Sequence, residues 1–326
     1  MASVMMYGDA IAAAIVEEMQ LDPDVVFYGQ NMAMTERDPM LKKFGKNRVR
    51  LAPISETAET GIGVGAAMTG LRPIVELWMS EFMLVAMDQV LNEAPRFHYM
   101  SGGQVKVPVV FKAGYGFAAG WAGQHSNCLY HTMMGIAGLK VVVPSTPADA
   151  KGLLTSAIRD DNPVVYLHHY MLTLDKGEVP EGNYAIPLGV AEVKRAGSDI
   201  TIVATGWMVK KSLAAAERLS KEGISSEVID PRTLAPLDVE TILKSVKKTG
   251  HLVLVDQGTR HGSAAAIIAA EVAEHGFDHL KAPLKMVTAL DCPVPYSEPL
   301  ENYILPNEDK IVAAVKSVLA RREVAA

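Results

Sequence analysis

The sequence predicts an α/β protein of two domains, each with a mainly parallel sheet flanked by helices. Short β-branched runs alternate with longer helical stretches along the 326 residues, which is the pattern of βαβ units. One stretch rich in glycine, proline and charge, residues 174–189, interrupts this alternation. We place the domain boundary within it, which gives domains of 1–185 and 186–326.

The predicted strands are short apolar runs bounded by turn-forming residues. Before the boundary they are VVFYG (25–29), PIVELW (73–78), PVVFKAG (108–114), LKVVVPS (139–145) and PVVYLHH (163–169). After the boundary they are ITIVATG (200–206), SSEVIDPRTL (225–234), HLVLVDQG (251–258) and LKMVTAL (284–290).

Two helix ends between these strands are marked by their capping residues. Thr146 followed by Pro147 predicts a helix start, with threonine as the side-chain cap and proline in the first turn. Gly223 predicts the end of the helix that begins near Met208, because glycine readily adopts the left-handed conformation that terminates helices.

The composition of the chain indicates its cellular compartment and the kinds of partner that it has. The net charge of −6 and pI near 5.9 argue against a nucleic-acid-binding surface, which needs clustered lysine and arginine. Only Cys128 and Cys292 occur, without metal or redox spacing, so a reducing compartment fits. The N-terminus is a poor signal peptide, and no window approaches the roughly 20 apolar residues of a membrane span. We expect a cytoplasmic protein whose partners are proteins and small molecules.

The segment Gly61–Ala66 formally satisfies the dinucleotide fingerprint G-x-G-x-x-A. The fingerprint requires a strand before it, whereas PISETAET at 53–60 is typical of a serine-capped helix start. We therefore expect the small residues to allow close packing against another backbone, in this chain or in a partner subunit.

Glu56 and His125 are the candidate catalytic residues. Spacing alone does not decide between a catalytic role and an ordinary structural or surface role for either of them. A glutamate in a first helical turn is often a solvated residue that complements the helix dipole. A histidine among glycine and small polar residues suits a cleft, because its charge changes near neutral pH, yet it also suits a structural role. His168 and His169 point to opposite faces of a strand and predict no metal site.

Five long blocks of sequence, in order, carry a resemblance to a known family. They are PISETAETGIGVGAAMTGLRPIVEL, DQVLNEAPRFHYMSGGQ, AGQHSN, GLKVVVPSTPADAKGLLTSAIRDDNPVVYL and EVIDPRTLAPLD. The chain resembles the β subunits of the thiamine-diphosphate-dependent decarboxylase component of 2-oxo acid dehydrogenase complexes, a family that includes pyruvate, branched-chain and acetoin dehydrogenases. The resemblance implies a transketolase-like pyrimidine-binding domain followed by a transketolase C-terminal-like domain.

The resemblance also implies roles for individual residues. Glu56 matches the carboxylate that bonds the pyrimidine ring nitrogen of the cofactor, which is acid-base work. Phe82 matches an aromatic residue packed against the pyrimidine, and Gln30 stands where relatives carry an acid near the cofactor. His125 matches a histidine that assists handling of the 2-oxo acid and acyl transfer to lipoamide. Five positions match a loop that binds potassium in many relatives, namely Val109, Ala157, Ile158, Asp160 and Asn162.

The family comparison further implies that this chain holds only part of the cofactor. No Gly-Asp-Gly segment for the diphosphate and magnesium occurs, so an α subunit is expected to hold both. The family assembles as an α2β2 heterotetramer, and a lipoyl acyltransferase core is a further expected partner. Alone, the chain is expected to be inactive.

Several positions depart from the family pattern and leave the substrate open. Gln30 and Asn31 stand where acids are usual, His168 replaces a glutamate, Asn127 replaces a common glutamine, and Pro95 replaces an alanine in a helix. Lost carboxyl groups alter the charge that an incoming substrate meets. Two alternatives to a dehydrogenase subunit are a split transketolase-like carboligase subunit and a non-catalytic scaffold that docks an acyltransferase core.

Overall fold

The computed structural model describes residues 2–30, 39–116 and 120–320. The chain divides into two compact units, Met1–Tyr115 with Thr132–Leu188, and Gly116–His131 with Gly189–Ala326. The predicted boundary after residue 185 lies close to the break at Leu188. The second unit also takes in Gly116–His131, which a single boundary does not describe, so the predicted domain limits stay a prediction. Asn31 lies outside the described residues.

The first unit is built on a parallel sheet with the strand order β6-β7-β5-β4-β2-β3. A separate antiparallel pair joins β1 to β8. The strands are β1 (Ala2–Met6), β2 (Val25–Gly29), β3 (Val49–Leu51), β4 (Arg72–Met79), β5 (Val110–Tyr115), β6 (Lys140–Val142), β7 (Val164–His169) and β8 (Lys176–Pro180). The helices are α1 (Tyr7–Leu21), α2 (Pro39–Phe44), α3 (Glu56–Met68), α4 (Ala94–Met100), α5 (Tyr130–Met134, which continues from the second unit) and α6 (Pro147–Arg159).

Burial on both faces explains the apolar central strands of this sheet. Every residue of β5 is buried, and all of β7 except His168 is buried, as expected for strands covered by helices on both sides. Helices α1 and α6 pack against each other and are joined by a two-pronged bond, in which the Arg159 guanidinium donates to the Glu18 carboxylate at 2.8 and 2.7 Å. Glu18 is 3% exposed, so this charge is compensated where water cannot reach it.

The second unit holds a five-stranded sheet in the order β14-β13-β10-β11-β9, in which only β9 runs antiparallel. Apolar residues of α7 and α11 form one core cluster with the sheet, and residues of α8 and α9 form another. The strands are β9 (Glu192–Arg195), β10 (Ile200–Ala204), β11 (Ser226–Asp230), β12 (Thr233–Ala235), β13 (Leu252–Thr259) and β14 (Lys285–Ala289). The helices are α7 (Trp207–Ser220), α8 (Val239–Thr249), α9 (Ala264–His275), α10 (Glu298–Ile304) and α11 (Glu308–Leu319).

The predicted fold class is confirmed, because both sheets are mainly parallel and flanked by helices. The two predicted helix ends also occur. Thr146 Oγ1 accepts from the Asp149 backbone N–H at 3.1 Å at the start of α6, and Gly223 has φ +82° just beyond α7. The run predicted as one strand over 225–234 is two strands, β11 and β12. None of the helices in the described part of the chain has the length and apolar character needed to cross a membrane.

Pro95 marks a change of helix type. A π-helical turn at Asp88–Glu93 is followed directly by α4, with Pro95 in its first turn. Proline has no N–H to donate to the preceding turn, so a continuous α-helix through residues 88–100 is not available to this sequence.

The glycines of α3 face different surroundings. A Cβ added at Gly63 would come 2.4 Å from Val75 Cγ2 on β4, whereas one added at Gly65 would meet nothing within 4 Å. Close packing therefore occurs at Gly63, but against valine side chains of the sheet in the same chain, whereas the prediction was of close approach to another backbone. Gly65 leaves an open strip on the outer face of the helix.

We expect opposite effects from two alanine substitutions in α3. Gly63→Ala should lower the free energy of unfolding by about 1–3 kcal/mol, since the new methyl overlaps a packed valine. Gly65→Ala should raise it by about 0.5–1 kcal/mol, because alanine is the better helix former and no atom obstructs it. Urea unfolding of both variants checks this, and equal effects would contradict the packing described.

Candidate functional site

Three predicted site residues lie at one end of the first unit. In a parallel sheet the carboxyl ends of the strands meet at a common edge, where ligands usually bind. Gln30 directly follows β2, and Phe82 lies in a 3-10 turn, Ser80–Ala86, that directly follows β4. Glu56 is the first residue of α3. Gln30 is buried, whereas Glu56 and Phe82 are partly buried.

Hydrogen bonds tie the elements that carry these residues. Gln30 Nε2 donates to Glu59 Oε1 at 3.0 Å, which joins the end of β2 to the first turns of α3. Thr57 Oγ1 donates to the Val85 carbonyl at 2.9 Å, which joins α3 to the turn that carries Phe82. The end of β2, the start of α3 and the 3-10 turn therefore form one connected group.

The start of α3 is stabilised differently from the sequence prediction. Ser55 occupies the N-cap position, as predicted, but its side chain makes no capping hydrogen bond. The prediction that the serine side chain caps the helix is therefore wrong. Instead the Ser55 backbone N–H donates to Glu59 Oε1 at 2.9 Å. Glu59 thus satisfies a free N–H group of the helix start and at the same time holds Gln30.

Glu59 is the most deeply buried acid of this site, with 1% of its surface exposed. Burial raises the pKa of its carboxyl group, and the charge of Glu56 adds to the rise, while the hydrogen bonds from Ser55 and Gln30 oppose it. Spacing and family resemblance did not identify Glu59 as a site residue. The sequence feature that could have identified it is its position one helical turn after Glu56, on the same face of the helix.

An ion pair and a neutral histidine lie deeper in the same sheet. Lys112 on β5 bonds Glu76 on β4, and both side chains are largely buried. His168 on β7 lies beside this pair, and removal from water together with the charge of Lys112 holds its pKa well below the usual range. A histidine with a lowered pKa therefore stands where the family resemblance predicts an acid, and among the described residues Glu76 forms the ion pair with Lys112.

His125 belongs to the second unit. Its loop is shaped by residues with unusual backbone angles, with φ +67° at Gly120 and φ +59° at Ala122. The His125 N–H donates to the Ala122 carbonyl at 3.4 Å, and Asn127 Nδ2 donates to the Gly123 carbonyl at 2.8 Å. His125 is partly exposed.

A buried aspartate anchors the end of this loop. Tyr130 donates a short hydrogen bond to Asp256 Oδ1, which also accepts from the Gly258 N–H at 2.7 Å. Asp256 Oδ2 accepts from the Ala265 N–H at 3.1 Å, at the start of α9. Burial raises the pKa of Asp256, although its hydrogen bonds act in the opposite direction. The carboxyl group thereby links the His125 loop to β13 and α9.

Four residues of the predicted potassium loop lie at the end of α6 or just beyond it, and Val109 lies beside the start of β7. The Ile158 and Asp160 carbonyls accept from the Arg72 guanidinium, each at 2.9 Å. The Ala157 carbonyl accepts from the Asp160 N–H at 3.4 Å, and the Val109 carbonyl accepts from the Val164 N–H at 2.9 Å. The Asp160 carboxylate bonds Lys140 and Asn162. Each carbonyl oxygen has a second lone pair, so these carbonyls could still bind a monovalent cation beside Arg72.

Large apolar side chains are exposed on the elements around the first-unit site. They lie on the segment before α3, on α3 itself, on the strand end and turns at 78–87, and on α4. We call them the apolar face, and they are Ile54, Ile62, Trp78, Leu84, Val85, Met87, Tyr99 and Met100, each between 40 and 87% exposed. Large apolar side chains exposed on elements that pack against one another are typical of a protein interface.

Comparison with known proteins confirms the predicted resemblance. Residues 3–173 match the family described as transketolase, pyrimidine binding domain, and residues 189–311 match transketolase, C-terminal domain. The acetoin:2,6-dichlorophenolindophenol oxidoreductase subunit beta of Bacillus subtilis (strain 168) is 42% identical over 98% of this chain and 98% of that protein. The pyruvate dehydrogenase E1 component subunit beta of Rhizobium meliloti (strain 1021) is 43% identical, over 97% of this chain and 70% of that protein.

Two further likenesses agree with these matches. The 2-oxoisovalerate dehydrogenase subunit beta of Bacillus subtilis (strain 168) is 41% identical over 97% of this chain and 99% of that protein. Among solved structures, a split gene transketolase, an inactive beta4 tetramer, has a TM-score of 0.81 at 24% identity and covers 97% of this chain and 98% of that one. At this identity the likeness concerns the fold alone.

The burial of Glu59 should appear as a pH dependence of stability. Because its pKa is raised in the folded chain, its favourable contribution is complete below the unfolded value of about 4.5 and is lost as the pH rises through the folded value. Glu59→Gln removes this titration. We expect wild type to lose stability relative to Glu59→Gln as the pH rises above about 4.5, as measured by urea midpoints. Glu274→Gln, at an exposed position of α9, controls for the loss of one carboxylate, and parallel curves for wild type and Glu59→Gln would contradict the assignment.

Proposed function

This chain belongs to the family of β subunits of 2-oxo acid and acetoin dehydrogenases, built from the two transketolase-type domains, and we propose that it is the β subunit of a thiamine-diphosphate-dependent enzyme of this kind. The observation that carries the proposal is Glu56 at the start of α3, on an element bonded both to the segment of Gln30 and to the turn of Phe82. An acid, an amide and an aromatic ring on connected elements suit an aminopyrimidine ring.

The residues present fit the pyrimidine half of the cofactor. Glu56 would hold a proton at the pyrimidine ring nitrogen, Gln30 would offer its amide, and Phe82 would pack against the ring. Bound thiamine diphosphate supplies a nucleophilic carbon and an electron sink for breaking a carbon–carbon bond beside a carbonyl.

The diphosphate and its magnesium ion would be held by a separate α subunit. Across residues 2–30, 39–116 and 120–320, no group of three or more histidine, cysteine, aspartate or glutamate side chains is arranged to hold a metal ion. The sequence also has no Gly-Asp-Gly segment. The apolar face is the surface that we propose the α subunit covers in an α2β2 heterotetramer, since burial of its aromatic and aliphatic side chains would stabilise the assembly.

His125 would act on the substrate side of the reaction. We propose that its imidazole assists handling of the 2-oxo acid or acetoin and transfer of the acyl unit to a lipoyl carrier on an acyltransferase core. A partly exposed imidazole on a loop fixed by Asp256 suits proton transfer at neutral pH.

The reaction class is tested first on the assembled protein. The chain is co-expressed with an α subunit, and the complex is assayed with thiamine diphosphate, magnesium, 2-oxo acids and acetoin, using an artificial electron acceptor. Oxidation of one substrate would identify the reaction and its substrate together. Cofactor binding without oxidation of any of these compounds would reject the dehydrogenase and leave the carboligase, which is assayed with aldehyde acceptors.

Glu56→Gln should abolish this activity while the complex still assembles. Glutamine keeps the size of the side chain but cannot exchange the proton, so we expect a loss of at least about 100-fold in kcat, within the range of general acid-base effects. Size-exclusion chromatography checks assembly, and Glu178→Gln on β8 is the matched control. Activity within a few-fold of wild type would reject Glu56 as the acid and would favour a scaffold role.

Potassium should stabilise the complex at the end of α6. We propose that the carbonyls of Val109, Ala157, Ile158 and Asp160, with Asn162, hold one potassium ion, because a helix C-terminus favours cations. The melting temperature should be higher in potassium chloride than in choline chloride at equal ionic strength, by an amount that saturates with concentration. Identical melting curves in the two salts would remove the potassium site from the proposal.

A further inference from the structure

Glu59 is a buried acid for which the proposed reaction has no use. Its Oε1 accepts both available N–H groups, from Ser55 at 2.9 Å and from Gln30 at 3.0 Å. Its Oε2 is shielded from solvent and has no hydrogen-bond partner among the described residues. Glu59 therefore contacts its neighbours through Oε1, which accepts two hydrogen bonds, and not through Oε2.

The surroundings of Glu59 contain acids and neutral groups. Glu56 faces it from one turn earlier on α3, and Gln30 and Tyr28 face it from β2. Within the residues that the structure describes, neither a lysine nor an arginine forms an ion pair with it. Glu59 therefore acts here as a hydrogen-bond acceptor rather than as one half of a charge pair.

The bond from Gln30 to Glu59 decides what Gln30 can offer to a ligand. An amide has one donor end and one acceptor end. One N–H of Gln30 Nε2 is used by Glu59, whose Oε1 accepts it. The carbonyl oxygen Oε1 lies at the other end of the amide, where it can accept from a ligand that brings an N–H or O–H donor. The exocyclic amine of an aminopyrimidine is such a donor.

We propose that Glu59 is a positioning residue of the cofactor site, which acts through its acceptor oxygen and fixes the Gln30 amide so that its carbonyl oxygen is left for the cofactor. This inference rests on the proposed function. Glu59 orients Gln30, and it takes no part in proton transfer.

The test compares four variants in the complex with the α subunit. Glu59→Gln keeps a carbonyl oxygen that can accept from Ser55 and Gln30, and it should change the KM for thiamine diphosphate by less than about twofold. Glu59→Leu and Gln30→Leu should each raise this KM by about fivefold to tenfold, which is the value of one hydrogen bond. The double variant should be no worse than either single one, because both remove the same contact.

The pH profile of kcat separates positioning from proton transfer. Glu59→Gln should leave this profile unchanged, because the proposal gives Glu59 no part in proton transfer. A shifted profile, or a Glu59→Gln variant as impaired as Glu59→Leu, would overturn the proposal because the site would then need a titrating carboxyl group. KM effects that multiply in the double variant would overturn it as well, because the two residues would act independently.

Failure of the proposed function gives a different result. If wild type shows no dependence on thiamine diphosphate, the melting temperatures of the same variants still test the contact between Gln30 and Glu59. If the losses of melting temperature in Glu59→Leu and Gln30→Leu are not additive in the double variant, Glu59 does position Gln30. Additive losses would contradict that role. Should Glu59→Leu fail to assemble, Glu59→Ala with Gln30→Ala forms the same cycle with smaller side chains.

Discussion

The hydrogen bonds of Glu59 are the contacts on which the geometry of the first-unit site depends. One oxygen atom holds both the start of α3, through the Ser55 N–H, and the end of β2, through Gln30. Glu56 is the residue after Ser55, so its position follows from the same oxygen. Burial of an acid is unfavourable unless its hydrogen bonds compensate, and here the two bonds also determine where the neighbouring side chains lie.

The sequence predicted the central strands well because their apolar residues are buried on both faces by helices. The limits of β2 agree with the prediction residue for residue. The edge strands β1, β8 and β9 were missed, since they carry exposed or polar residues that match no apolar run. Glu59 was missed for a related reason. Its spacing is that of an ordinary first-turn acid, and only packing against the end of β2 makes it a buried one.

In the second unit a different buried acid holds separate elements together. Asp256 binds Tyr130, Gly258 and Ala265 through two oxygen atoms and so connects a loop, a strand end and a helix start. In the sequence, Asp256 is only the last acid of a predicted strand. Both units therefore use one buried carboxyl group to join elements that are distant in the chain. Glu59 lies within the first block that resembles the family, whereas Asp256 lies outside all five blocks.

The apolar face also bears on how the protein is produced. The folded chain exposes Trp78, Val85, Tyr99 and Met100. These apolar side chains would favour association with other proteins until a partner covers them. Under the proposed α2β2 assembly, excess copies of either subunit would leave apolar side chains uncovered and free to associate. Matched synthesis of the two subunits would then set the amount of enzyme.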